Sequence, residues 1–123
     1  MITENAKLTY GLTYNGQTYY DYSLKPITLL QELAALDEID AYATQTMTAR
    51  HELVIHNLAY IAQMINIVGI DPQVFNVEFL MNNLIAADYQ NILDNIGRLQ
   101  TKFSAAGQAE MAATAAQSQS LTS

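Results

Sequence analysis

An α+β domain, mainly α, is the fold class the sequence predicts: an N-terminal β-hairpin, about four helices and a flexible C-terminal tail. Three observations predict it. Strand-like alternation surrounds an Asn-Gly turn within residues 7–24, apolar residues recur at helical spacing across residues 28–103, and residues 104–123 are mostly Ala, Gln, Ser and Thr. The chain has 123 residues, 50% of them hydrophobic, which suits one domain spanning residues 1–103 with a modest core.

In the hairpin, Leu8, Tyr10, Leu12 and Tyr14 alternate with Thr9, Gly11 and Thr13 as far as Asn15-Gly16. A two-residue loop sets Tyr10 against Asp21 and Leu8 against Ser23, which places polar groups on the apolar face. A three-residue loop, Tyr14-Asn15-Gly16 with Gly16 left-handed, sets Leu12 against Thr18, Tyr10 against Tyr20 and Leu8 against Tyr22, and is the predicted register. An isolated hairpin is marginal in water, so this Leu/Tyr face must pack on the helices or pair with another chain.

Thr28-Leu29-Leu30-Gln31 has the form of a capping box and starts the first helix. Leu29, Leu30, Leu33, Leu36 and Ile39 form its expected inner face, with Gln31, Glu32, Asp37, Glu38 and Asp40 on the wet side. Residues 41–48 read as a loose link. The second helix runs from residue 49 or 50 to Val68, on a face made by Leu53, Tyr60, Ile61, Met64 and Val68, and Gly69 stops it. Asp71-Pro72 caps and opens a short apolar helix from Val74 to Leu84. Asp88 caps a last helix to Phe103, with Tyr89, Ile92, Leu93, Ile96, Leu99 and Phe103 inward; alternatively the two helices run together. Gly97 costs that helix about 1 kcal/mol relative to Ala, so it marks either a close crossing or a weak spot. The tail carries only Met111 and Leu121 as larger apolar groups, too little to repay chain ordering.

Charge and composition exclude several function classes. Twelve acidic and five basic side chains give a net charge of -7, which repels nucleic acid and anionic membrane. The basic residues Lys7, Lys25, Arg50, Arg98 and Lys102 are scattered and make no stripe. The absence of cysteine removes disulfides, thiolate nucleophiles and cysteine zinc sites. Residues 53–70 are long and apolar enough to suggest a membrane span, but His56, Asn57, Gln63 and Asn66 interrupt them on several sides. With no basic n-region and apolar stretch at the start, the cytoplasm is the expected compartment.

No constellation of catalytic residues emerges. His51 and His56 bracket Glu52 in a string resembling the His-Glu-x-x-His zinc motif, but they are five apart. At about 100° per residue, side chains five apart diverge by about 140°, so the imidazoles cannot share one ion. Asp37, Glu38 and Asp40 read as a solvated acidic face, and the five scattered glycines assemble no phosphate loop. The expected answer is no enzyme, no cofactor and no metal; the alternative is an acid-base enzyme using Asp37, Asp40 or His56.

The hairpin string Leu8-Thr9-Tyr10-Gly11-Leu12-Thr13-Tyr14-Asn15-Gly16-Gln17-Thr18-Tyr19, the passage Leu24-Lys25-Pro26-Ile27-Thr28 into a leucine helix, and the closing helices from Leu84 through Asp88 to Leu99 carry a resemblance. Together this layout resembles the small tail assembly chaperones of contractile-tailed, Mu-like and P2-like bacteriophages. The likeness covers residues 7–103 and is one of order, with no invariant motif. It implies a non-catalytic protein of the host cytoplasm that coats the tape measure protein, keeps it soluble and helps recruit tail tube subunits, without staying in the virion. In many such phages a frameshift yields a longer chaperone, and the polar tail suits a linker to such an extension. Tyr19, Tyr20, Tyr22, Phe75, Phe79 and Met81 are the candidate client contacts, since such side chains offer adaptable apolar area; each serves equally well as core. The alternative is a structural virion or adaptor protein that self-assembles through its hairpin edge and apolar helix, and exposed apolar area is compatible with a homo-oligomer.

Overall fold

The computed structural model describes residues 3–42 and 48–122, with side chains through residue 105. Strands β1 (Glu4–Tyr14) and β2 (Gln17–Leu24) form the hairpin, and a two-residue strand β3 (Ile65–Asn66) pairs antiparallel with the other edge of β2. Helices α1 (Leu29–Tyr42), α2 (Ala49–Met64), α3 (Val77–Asn83) and α4 (Ala86–Thr122) complete an α+β fold that is mainly α. Leu12, Leu24, Ile61, Val77, Leu80, Ile92 and Leu99 are buried in one core between sheet and helices.

The turn differs from the predicted one. Asn15 and Gly16 both have left-handed backbones, φ 52° and 76°, so the loop has two residues, with Tyr14 opposite Gln17, Thr13 opposite Thr18 and Leu12 opposite Tyr19. The apolar face survives because the extra residues sit inside β1. Between the pairs Lys7–Asp21 and Leu12–Tyr19, the segment Leu8-Thr9-Tyr10-Gly11 faces Tyr20 alone. This bulge keeps Leu8 and Leu12 inside and turns Tyr10 out, at 61% exposure. The three-residue loop and its pairings are therefore corrected: Asn-Gly chose its preferred turn, and the bulge absorbed the mismatch.

Asp88 holds the bulge. Its side chain is fully buried. Oδ1 accepts the N–H of Thr9 at 2.7 Å, and Oδ2 accepts those of Tyr10 at 3.0 Å and Gly11 at 3.1 Å. Bulging frees these three donors from the ladder, and a carboxylate with two oxygens satisfies them in charge-assisted bonds. The expectation that Asp88 is the helix cap is corrected, because α4 begins two residues earlier and Asp88 lies in its first turn. A second polar joint lies one turn on: Tyr22 OH donates to Asn91 Oδ1 at 2.6 Å, and Asn95 Nδ2 donates to Tyr22 OH at 2.7 Å. An ion pair between Lys102 Nζ and Glu4 Oε2, at 2.7 Å, ties the start of β1 farther along the same helix.

Three helix expectations change. The helix expected to reach Val68 ends at Met64, after which Ile65 is extended and pairs with Leu24, while Lys25 N donates to Met64 O at 3.1 Å. The β-branched run Ile65, Ile67, Val68 suits this extended course, and the open edge of β2 decides it. The expected helix from Val74 to Leu84 is split. Asp71 caps a 3-10 turn (Pro72–Val74) and Asn76 Oδ1 caps α3 by accepting from Phe79 N at 2.7 Å. Past Phe103, where the helix was expected to give way to a flexible tail, the backbone continues α4 to Thr122. The Thr28–Gln31 capping box is present, with Gln31 N donating to Thr28 Oγ1 at 3.2 Å. Most of the predicted link, residues 43–47, and the side chains of Met111 and Leu121 lie outside the described residues.

Candidate protein-binding surface

Of the five residues expected on the inner face of α1, Ile39 packs against the core and the four leucines face outward. At about 100° per residue, Leu29, Leu33, Leu36 and Asp40 form one lane, with Leu30 and Asp37 beside it. The four leucines are 72%, 77%, 52% and 40% exposed in chain order. The opposite side is the packed one. Ala35 is fully buried there, Ile39 is half-buried, and two polar contacts hold the helix in place. Tyr60 OH donates to Glu32 Oε1 at 3.2 Å, and Glu38 Oε2 accepts from Val77 N, the first donor of α3, at 3.1 Å. Two residues of the supposed wet side, Glu32 and Glu38, thus make contacts on the packed side of α1, and its leucines face outward.

A groove of about 470 Å³ runs beside this lane between the start of α1, the end of α2 and α4. Ile27, Glu32, Tyr60, Met64, Leu99 and Phe103 are among its lining residues. Glu32 follows Leu29 by three positions and precedes Leu36 by four, so groove wall and leucine lane adjoin on the helix surface. Phe103, expected inward, is partly exposed here. Burial and the neighbouring Glu32 push the Tyr60 phenol above its ordinary range. A smaller apolar groove of about 280 Å³ lies between α2, α3 and the start of α4, and includes Val54, Leu58, Leu80, Met81 and Tyr89.

The six predicted contacts separate into different environments. Tyr22 and Phe75 are core residues, beyond the reach of a partner in this fold. Phe79 is half-buried and meets Tyr14 and Phe75 edge-on, with ring centroids 6.0 and 5.8 Å away. Tyr19 is half-buried on the Gly69 turn, where its ring fills the space a side chain at Gly69 would take. Tyr20 and Met81 are exposed, Tyr20 opposite the bulge and Met81 in the smaller groove. No single surface gathers the six.

His56 stacks on Tyr60, with ring centroids 4.9 Å apart. Among the described residues, no three His, Asp or Glu side chains gather as metal ligands, and no helix is long and apolar enough to cross a membrane. No protein-family model, curated protein or solved structure matches the chain.

The surface of α1 was missed because its leucines have ordinary core periodicity. One hint was present: the lane Leu29, Leu33, Leu36 continues into Asp40, and Asp37 flanks it. A lane that ends in carboxylates is poorly suited to a core, whereas Ala35, Ile39 and Tyr42 continue a narrower apolar strip on the other side.

Proposed function

We propose that this chain is a non-catalytic tail assembly chaperone, acting in the host cytoplasm to hold a tape measure protein and help bring tail tube subunits to it. The observation that carries the reading is the exposed leucine lane of α1 beside an open apolar groove. An apolar face of this kind on a folded domain marks a protein-binding site. The layout of hairpin, leucine helix and closing helices supports the choice of client. The net charge of -7 keeps the domain soluble and apart from polyanions.

Co-expression with a tape measure protein encoded in the same genome tests the reading. The expected result is a soluble tape measure protein that co-purifies with this chain; continued insolubility and no co-purification overturn it. Mass spectrometry of finished particles separates the chaperone from a self-assembling adaptor, since the chaperone is absent from them and an adaptor is present.

A further inference from the structure

We propose that the leucine lane of α1 is the seat of a positively charged amphipathic helix of the client. This deepens the chaperone reading and rests on it for the existence of a client, but the chemistry of the partner comes from the surface itself. Leu29, Leu33 and Leu36 follow the i, i+4, i+7 spacing by which one helix grips another, and Leu30 widens the lane. The groove alongside, with Ile27, Tyr60 and Phe103 in its walls, extends the apolar contact beyond α1.

Charge selects the occupant. Helix α1 carries Glu32, Asp37, Glu38 and Asp40 and no Lys, Arg or His. Asp37 and Asp40 are exposed on the leucine side, so a helix seated there meets carboxylates at its polar margin. Lys or Arg at that margin gains attraction and speeds encounter. A second copy brings a net charge of -7 and an α1 with no cation to answer these acids, and an anionic lipid surface is repelled in the same way. Without a partner, α1 is held by Ala35, the Glu32–Tyr60 bond and the Glu38–Val77 bond, and the exposed leucines remain free to be covered.

The test uses the full chain and two fluorescein-labelled amphipathic peptides of about 18 residues, one with leucine and lysine faces and one with the same leucines and glutamate. Fluorescence anisotropy is expected to show saturable binding of the lysine peptide only, weakening several-fold as salt rises from about 0.05 to 0.5 M. The double variant Leu29→Gln/Leu33→Gln is expected to lose at least about tenfold in affinity while keeping its thermal midpoint, and Val68→Gln, an exposed apolar change elsewhere, to lose none. Reversal of charge in Asp37→Lys/Asp40→Lys is expected to shift preference toward the glutamate peptide. Equal binding of both peptides, or affinity untouched by the leucine changes, overturns the proposal. So does a dimer in sedimentation that the leucine changes dissociate, since a second copy then covers the lane. If the leucine variant still solubilises the tape measure protein, the seat is wrong and the chaperone reading stands. If the lysine peptide binds as described but co-expression rescues nothing, the seat stands and the chaperone reading falls.

Discussion

Asp88 accepts the N–H of Gly11 at 3.1 Å across 77 positions of sequence, and this contact joins the first turn of α4 to the bulge in β1. The carboxylate takes two further donors, so one side chain sets both the course of the strand and the docking of the long helix.

Replacing Asp88 with Ala leaves three backbone donors without their acceptor, the one at Gly11 buried and those at Thr9 and Tyr10 partly buried. An unsatisfied buried donor costs about 1–3 kcal/mol, so the loss at Gly11 alone is expected to make Asp88→Ala less stable by about that much. Asp88→Asn is expected to lose less, because one oxygen remains. Urea unfolding followed by circular dichroism measures both.

Two glycines with left-handed backbones are expected to respond unequally to Ala. At Gly11, φ is 84° and an added Cβ meets Thr18 Cγ2 at 2.5 Å and the Tyr19 carbonyl oxygen at 3.1 Å. At Gly16, φ is 76° and nothing lies within 4 Å. Gly16→Ala carries only the conformational cost of about 1–2 kcal/mol, and Gly11→Ala adds a clash with strand β2. The thermal midpoint of Gly11→Ala is expected to fall clearly below that of Gly16→Ala.

Gly97 is the opposite case. It lies within α4 with nothing within 4 Å of an added Cβ, so it permits no close crossing. Gly97→Ala is expected to stabilise by up to about 1 kcal/mol, read as a raised midpoint in urea.

Alkaline pH is expected to weaken the fold through Tyr22. Burial, the largest influence, raises its phenol above the ordinary 10.0, although the bond from Asn95 works the other way. The folded state therefore keeps the proton more tightly than the unfolded chain. Its contribution is complete below about pH 10 and is lost as pH climbs from there through the folded value. Burial raises Tyr42 and Tyr60 in the same direction. In a series of urea midpoints from about pH 8 to 11.5, Tyr22→Phe is expected to start lower, having left Asn91 and Asn95 without their hydroxyl partner, and to decline less steeply.

Local chemistry decided what local residues can decide. The place of the turn at Asn15-Gly16, though not its loop length, the Thr28–Gln31 capping box, the Asp71-Pro72 cap and the helical spacing of Ile92 and Leu99 were legible because each depends on neighbours within a turn or two. None of the six predicted contacts lies on the leucine lane or in the groove beside it, and the leucines of α1 read as inward. Periodicity reports that a helix has an apolar side, but which side is buried depends on what waits across the interface. Here Ala35, Ile39 and Tyr42 pack against the core, Tyr60 and the α3 amide bond Glu32 and Glu38, and the leucines of α1 face solvent. The bulge, the end of α2 at Met64 and the role of Asp88 likewise depended on distant partners: a carboxylate for the freed strand donors, and an open sheet edge for Ile65. Such backbone groups demand satisfaction once buried, and only the assembled chain shows which side chain or strand supplies it.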